Sequence, residues 1–262
     1  GVTAFGLKGW QLLFVLEAFP AVIFGIVLIC ILDDNPSDAK WLDPDEKDYL
    51  ERRLLHENEL KLSARRYTIL EALTDREVLK LCFIYFLWIT GFWGFNYWMP
   101  TALREMSGWS NLALGALIVI PMTLSLASML GVAWSSSRSG EKRLHGAVSM
   151  FVGAAGFGFG ALVSDPLVAF GLVCVTAAGV FAAFGVWWSY PTTFLSGAAA
   201  AGAVGLINSF GNIGGYAGPY ITGFIRDASG SFQWAYITLS CSLAAAGLLM
   251  LTLRRGINTD NS

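Results

Sequence analysis

The stretch GAVGLINSFGNIGGYAGPYITGFI (Gly202–Ile225) decides what kind of protein this is. No charged residue interrupts it, and it is long enough to cross a bilayer as a helix, which takes about 20 residues. Yet it holds Asn208, Asn212 and Pro219 among many glycines. A helix brings positions i, i+3 and i+4 onto one face, so Asn208 and Asn212 share a face with Gly205. Gly211 with Gly215, and Gly214 with Gly218, form overlapping GxxxG patterns, and small residues let helix backbones approach closely in lipid. The amides either bond to a neighbouring helix, as modest glue, or turn toward a polar ligand.

Further apolar runs lie near Trp10–Leu32, Val78–Met99, Leu112–Trp134, Ala147–Val163, Leu167–Tyr190 and Trp234–Leu253. The links LREMSGWSN, SSSRSGEKRLHG, SDP, FLSGAAAAG and RDASGSFQ are compact and polar, which makes neighbouring helices antiparallel. Hydrophobic residues make up 55% of the chain and charged residues 14%, against about 25% charged in a soluble domain. Mean hydropathy is +0.57. In lipid only helices and closed barrels satisfy the backbone, and these runs are too long for barrel strands. The expectation is an all-α integral membrane protein with seven transmembrane helices.

The basic residues set the orientation. If the first span ends in the cytoplasm, 14 of the 17 lysines and arginines fall on or at that side, and only Lys8, Arg104 and Arg226 fall opposite. This puts the C-terminus inside, in the plasma (inner) membrane. One connection, residues 33–77, is long and charged. Pro44, Asp45 and Glu46 suit a helix start, with negative charge at the positive end of the dipole. Tyr49, Leu50, Leu54 and Leu55 are read as the apolar face of an amphipathic helix on the cytoplasmic surface. The chain divides into residues 1–32, a helix set apart; 33–77, the cytoplasmic loop; 78–253, a six-helix bundle; and 254–262, a cytoplasmic tail. It begins GVTAFGLKGW without an initiator methionine, and reads as the interior of a longer protein.

Cys30, Cys82, Cys174 and Cys241 each sit in a separate run without CxxC spacing, so they read as small buried hydrophobes rather than metal ligands or disulfides. A net charge of −2 gives nucleic acid no support. No nucleophile elbow, HExxH or phosphate loop is present, so no enzyme chemistry and no cofactor is expected.

Three stretches carry a resemblance to a known family. Residues 9–50, GWQLLFVLEAFPAVIFGIVLICILDDNPSDAKWLDPDEKDYL, resemble the sixth helix and central loop of the major facilitator superfamily, and more narrowly of its anion:cation symporter branch. Residues 91–110, GFWGFNYWMPTALREMSGWS, resemble that branch's seventh helix. Residues 187–231, WWSYPTTFLSGAAAAGAVGLINSFGNIGGYAGPYITGFIRDASGS, resemble its tenth and eleventh. The chain is closest to tartrate and phthalate permeases of that branch. The resemblance implies helix six plus the C-terminal bundle of a twelve-helix carrier, whose N-terminal bundle is missing here.

The resemblance also implies roles. Asn208 faces the central cavity and contacts the anion, with Asn212 in support or serving as glue. Trp188 stands on the cavity wall or in an interfacial belt, and Gly185 nearby leaves room for ligand. Asn96 and Tyr97 line the cavity where the seventh helix is broken, beside Trp98, which reads equally as belt. Arg138, Glu141 and Arg143 form the gating loop, with Ser137 where the family carries an aspartate; this departure either weakens the gate or is tolerated drift. Glu17, an acid well inside a span, either carries a proton or makes a structural hydrogen bond. The function implied is symport of a small organic anion, a carboxylate, with a cation, proton or sodium, by alternating access. No lysine or arginine lies mid-span, so the positive partner of the anion belongs to the missing helices. The alternatives are a facilitator for a neutral sugar or drug, and a membrane scaffold or sensor.

Overall fold

The computed structural model describes residues 3, 4, 6–64, 69–108, 110–191 and 197–254. Arg65, Arg66, Arg255 and nearly all of the tail at 254–262 lie outside the described residues. The chain forms two compact units, Gly1–Ala64 and Arg65–Ser262.

In the first unit a two-residue ladder, β1 (Thr3–Ala4) with β2 (Leu7–Lys8), turns at Gly6 with φ 76°. Helix α1 (Gly9–Ile31) starts where Gln11 Oε1 accepts from the Lys8 backbone N–H at 2.8 Å, and it runs on through Pro20. None of its residues is buried, and Glu17 lies exposed. Helix α2 (Pro44–Ala64) starts at the proline, with Asp45 and Glu46 in its first turn. Its apolar residues do not gather on one face. At about 100° per residue, Tyr49, Leu50, Leu54 and Leu55 spread over an arc of roughly 240°, and Tyr49, Leu54 and Leu55 are all exposed. The amphipathic reading is therefore corrected to a mixed helix.

Every secondary-structure element among the described residues of the second unit is a helix. It contains α3 (Ile69–Thr74), α4 (Arg76–Ser107), α5 (Asn111–Ser139), α6 (Lys142–Gly160), α7 (Pro166–Ala182), α8 (Phe184–Trp187), α9 (Gly197–Ser229) and α10 (Gln233–Leu251). The polar links start and stop these helices by capping. Asp75, Ser110, Glu141 and Asp165 each accept a backbone N–H of the following first turn, and Pro166 opens α7. Gly108 and Gly140 end α4 and α5 at φ 66°, a left-handed conformation that favours glycine. Among the described residues, five helical stretches are long and apolar enough to cross a membrane: Gly9–Ile31, Arg76–Glu105, Leu112–Ser139, Pro166–Trp187 and Gln233–Leu251. Helices α6 and α9 are less apolar, because glycine and polar residues take the place of large aliphatics.

Helices α4 and α9 pack along a long shared seam. The buried face of α9 runs through Ala203, Ile207, Gly211, Gly214, Gly218 and Thr222. A Cβ added at Gly214 would press on Phe86 O, one at Gly218 on Thr90 O, and one at Gly211 on the Tyr85 ring. The overlapping GxxxG patterns are thus used for backbone approach, although Gly215 turns aside to meet Trp93. Gly179 and Gly153 bring α7 against α6 in the same way. Around these contacts lie the fully buried Trp88, Trp187, Met150, Leu239 and Leu243.

The discontinuity expected in the seventh-helix stretch falls elsewhere. Helix α4 is unbroken from Arg76 to Ser107 despite Pro100. The break comes instead between α7 and α8, at Ala183. Two carbonyls of the last turns before it are bonded by side chains from other helices: Trp88 Nε1 donates to Val180 O at 2.9 Å, and Ser128 Oγ to Ala178 O at 2.9 Å.

Candidate functional site

The exposed surface of the second unit has two chemistries. On α5, α7 and α10 it is largely aliphatic, with Val119, Leu124, Leu130, Leu167, Val168 and Leu248. On α4 and α9 it carries amides, phenols and indoles beside the apolar Phe83, Ile213 and Phe224. Asn208 and Asn212 are exposed, one turn apart, on the face of α9 that holds Gly205, about 100° around the helix from the Gly214 and Gly218 side. Ser209 Oγ donates to Gly205 O at 2.9 Å. Tyr216 and Tyr220 continue this face, with rings stacked at 5.7 Å and 14°.

Tyr85 joins the predicted residues at one end. Its ring lies on Gly211, between Asn208 and Asn212 in sequence, and meets Trp188 edge-on at 5.3 Å. It also stacks on Trp187 at 5.3 Å and 11°. Tyr85 sits in an apolar run with no motif around it, so its placement could not be read from the chain. Trp188 is part-exposed, whereas Trp187 is fully buried and its indole N–H has no partner among the described residues.

Tyr97 stands further along α4 and is exposed, its ring 5.7 Å from that of Trp93. Asn96 is half-buried, and its Nδ2 donates to Phe92 O at 2.8 Å, so the amide nitrogen is turned back onto its own helix. Trp98 is half-buried, and its Nε1 donates to Pro219 O at 2.9 Å, which ties α4 to α9. Gly185 does not open space for a ligand either, because a Cβ there would stand 2.6 Å from Met129 O on α5. Among the described residues no group of three or more His, Cys, Asp and Glu comes together to hold a metal ion.

The link 135–146 holds four charged residues, of which Arg138 stands apart while Glu141 and Arg143 lie at ion-pair distance, 3.8 Å, and Lys142 reaches Ser189 O at 3.4 Å. Arg138 lies over the Trp134 ring at 4.2 Å. Glu141 caps α6 through the Leu144 N–H at 3.2 Å. Arg143 Nη1 donates to Leu251 O at 3.2 Å and Leu253 O at 3.0 Å, at the end of α10. The same helix end receives Lys80 Nζ on Thr252 O at 3.2 Å and the Tyr190 hydroxyl on Arg254 O. Glu77, buried, accepts from Lys80 Nζ at 2.9 Å and from the Arg254 backbone N–H at 3.0 Å. At the other ends of the helices, Arg226 of α9 pairs with Glu105 of α4.

Trp88 is the least replaceable of the polar residues sequence reasoning missed. Trp88→Phe keeps most of the ring but leaves Val180 O unpaired in the core, a loss of about 2 kcal/mol. Thermal unfolding in detergent will show it as a lowered midpoint, while Trp188→Phe on the exposed rim leaves the midpoint nearly unchanged.

Comparison with known proteins follows the same line. A family profile described as Major Facilitator Superfamily matches residues 1–215. A putative tartrate transporter of Agrobacterium vitis is 34% identical over 250 residues, covering 95% of this chain and 57% of the relative. A quinolone resistance transporter of Acinetobacter baumannii is 31% identical over 234 residues, covering 89% and 54%. The inner membrane transport protein RhmT of Escherichia coli is 31% identical over 256 residues, covering 95% and 57%. The chain spans a little over half the length of the curated relatives it matches. Apolar helices, profile and relatives agree: this chain is an integral membrane protein that belongs to the major facilitator superfamily, a family of transporters and not of enzymes.

Proposed function

We propose that the chain is the C-terminal portion of a secondary transporter for a small organic anion, a carboxylate, moved with a proton or sodium ion by alternating access. The observation that carries this reading is the contrast between faces. The α4–α9 surface exposes Asn208, Asn212, Tyr97 and Tyr216, while α5 and α7 expose aliphatic side chains suited to lipid. Amides and phenols in hydrocarbon leave polar groups unpaired, so their surface belongs to a watery vestibule. The relative named a tartrate transporter supports a carboxylate as substrate. In this reading α1, α4, α5, α6, α7 with α8, α9 and α10 make seven crossings, the basic links and the C-terminus lie in the cytoplasm, and a preceding helical bundle completes the cavity. Asn208, Asn212 and Trp188 around Tyr85 form one part of the binding wall, and Tyr97 another. Asn96 contributes its carbonyl oxygen. Arg138, Glu141 and Arg143 remain the proposed cytoplasmic gate, and Glu17 a proton carrier or structural carboxyl.

The second reading, a facilitator for an uncharged sugar or drug, draws on the relative named a quinolone resistance transporter and on the absence of Lys and Arg in the middle of the spans. Uptake by the complete carrier in proteoliposomes decides between them. Asn208→Ala lowers carboxylate uptake about tenfold, as expected for loss of a polar contact to a charged substrate, without moving the melting temperature. Unchanged uptake, or transport of sugars in preference to acids, overturns the proposal. The present chain reconstituted alone moves no substrate.

A further inference from the structure

We propose that residues 251–254, where the chain leaves α10, form a strap that fixes α8 and with it the Trp188 indole, so that Tyr190 and Glu77 are positioning residues for transport; the inference rests on the reading above that puts Trp188 in the binding wall. A chain just past a helix end ordinarily frays. Here it is held from three sides, each time through its own backbone. Lys80 Nζ of α4 donates to Thr252 O at 3.2 Å, and Arg143 Nη1 of α6 donates to Leu251 O and Leu253 O. The Arg254 backbone N–H donates to the Glu77 carboxylate of α4 at 3.0 Å. Arg254 O accepts from the hydroxyl of Tyr190, which lies three residues past the end of α8. Leu253 is 1% exposed, so the strap is pinned into the unit and not merely laid over it.

Helix α8 needs such a hold. It has four residues, too few to be stable as a helix by itself, and the break at Ala183 separates it from α7. Burial of Val186 and Trp187 draws it into the core, but apolar burial is non-directional and does not set the turn of the helix about its own axis. Hydrogen bonds do. Tyr190 is buried, and its backbone N–H donates to Trp187 O at 3.0 Å, so the phenol and α8 move as one piece. The phenol ends on the strap, and the strap ends on Glu77, itself buried and bonded to Lys80 Nζ at 2.9 Å. Lys142 Nζ adds a longer contact to Ser189 O at 3.4 Å. Trp188 lies between Trp187 and this anchored segment and is part-exposed, so a turn of α8 carries its indole away from the wall. Because the links run to backbone carbonyls and one backbone N–H, no side-chain motif announces them.

Hydrogen exchange and uptake by the complete carrier test the strap. Tyr190→Phe keeps the ring and removes only the hydroxyl, so protection at residues 184–190 and 252–254 falls together, by about tenfold for the loss of one hydrogen bond. Glu77→Ala touches no residue of α8, yet by releasing the Arg254 N–H it lowers protection at 184–190 as well. Glu77→Gln keeps a carbonyl oxygen for that N–H and retains most of the protection. The double variant Tyr190→Phe/Glu77→Ala is no looser at 184–190 than the looser single variant, as two links of one chain require. In proteoliposomes, with tartrate as the probe acid, Tyr190→Phe raises KM about fivefold and leaves kcat nearly unchanged, the pattern of weakened binding. Unchanged exchange at 184–190 in Glu77→Ala overturns the strap. If Glu77→Ala does not fold, Tyr190→Phe reads the same link from its other end, and unchanged exchange at 252–254 overturns it. Loosened exchange with an unchanged KM overturns the positioning role and takes Trp188 out of the wall. No tartrate uptake by the unaltered carrier counts against the carboxylate reading instead, and the exchange results still judge the strap.

Discussion

Gly218→Ala lowers the melting temperature of the detergent-solubilised chain by about 10 °C, while Gly205→Ala on the same helix leaves it unchanged or slightly raised. The two substitutions add the same methyl group to different faces. At Gly218 the new carbon presses on Thr90 O and stands 2.9 Å from Gly94 N, both backbone atoms of α4 that no side-chain rotation can move. The helices must part, and the neighbouring approach of Gly214 to Phe86 O parts with them. Overpacking of this kind costs about 3 kcal/mol, the upper end of the usual range, and roughly 3 °C follows per kcal/mol in a unit of this size. At Gly205 nothing lies within 4 Å of the added carbon, and alanine is the better helix former. Equal melting temperatures for the two variants would show that the seam is not held by backbone approach.

Arg143→Leu is expected to cost about 3 kcal/mol and to free the last turn of α10. The guanidinium is only 19% exposed and its Nη1 serves the Leu251 and Leu253 carbonyls, which no longer have helical partners. Its Nε has Glu141 at 3.8 Å, an ion-pair distance but too long for a hydrogen bond. Leucine removes the Nη1 donor and leaves the part-buried Leu253 carbonyl unpaired, worth about 1–3 kcal/mol, while the exposed Leu251 carbonyl can turn to water. Lysine at this position restores the charge but only one point of contact, so Arg143→Lys recovers part of the loss. Hydrogen exchange at residues 249–253 reads the effect directly: protection falls in Arg143→Leu and is intermediate in Arg143→Lys. A residue that acted only in gating would change uptake and leave this exchange untouched.

The helices were legible because their signals are local. SDP becomes an Asp165 cap with Pro166 at the first position of α7, and Gly108 and Gly140 stop α4 and α5 where the polar links predicted ends. The glycine face of α9 was legible because the i, i+3, i+4 rule needs only one helix. What failed needed two. The family resemblance marked α4 as the helix to break, yet α4 continues and the break falls at Ala183, beside the Trp88 and Ser128 donors that lie far away in sequence. Trp187 and Trp188 read alike as neighbours, and only the stacking of Tyr85 separates the buried indole from the part-exposed one. Arg143 was read as part of a gate, and its carbonyl partners at the end of α10 depend on the chain's return more than a hundred residues later. Of the site residues, Asn208 and Asn212 could be put on one face by periodicity and Tyr97 was named by the family resemblance, but Tyr85, which links Trp188 to α9, was reached by neither.

The glycines of α9 also bear on biogenesis. A helix that gives up large aliphatics for Gly211, Gly214 and Gly218 enters the bilayer with a weaker partition of its own than α1 or α5. Its natural counterpart, α4, leaves the ribosome long before, with α5 through α8 synthesised in between. During that interval the Trp98 indole lacks the Pro219 carbonyl and Glu105 lacks Arg226. The seam, the Trp98 tie and the Arg226–Glu105 pair therefore all wait on the synthesis of α9 and close together when it meets α4.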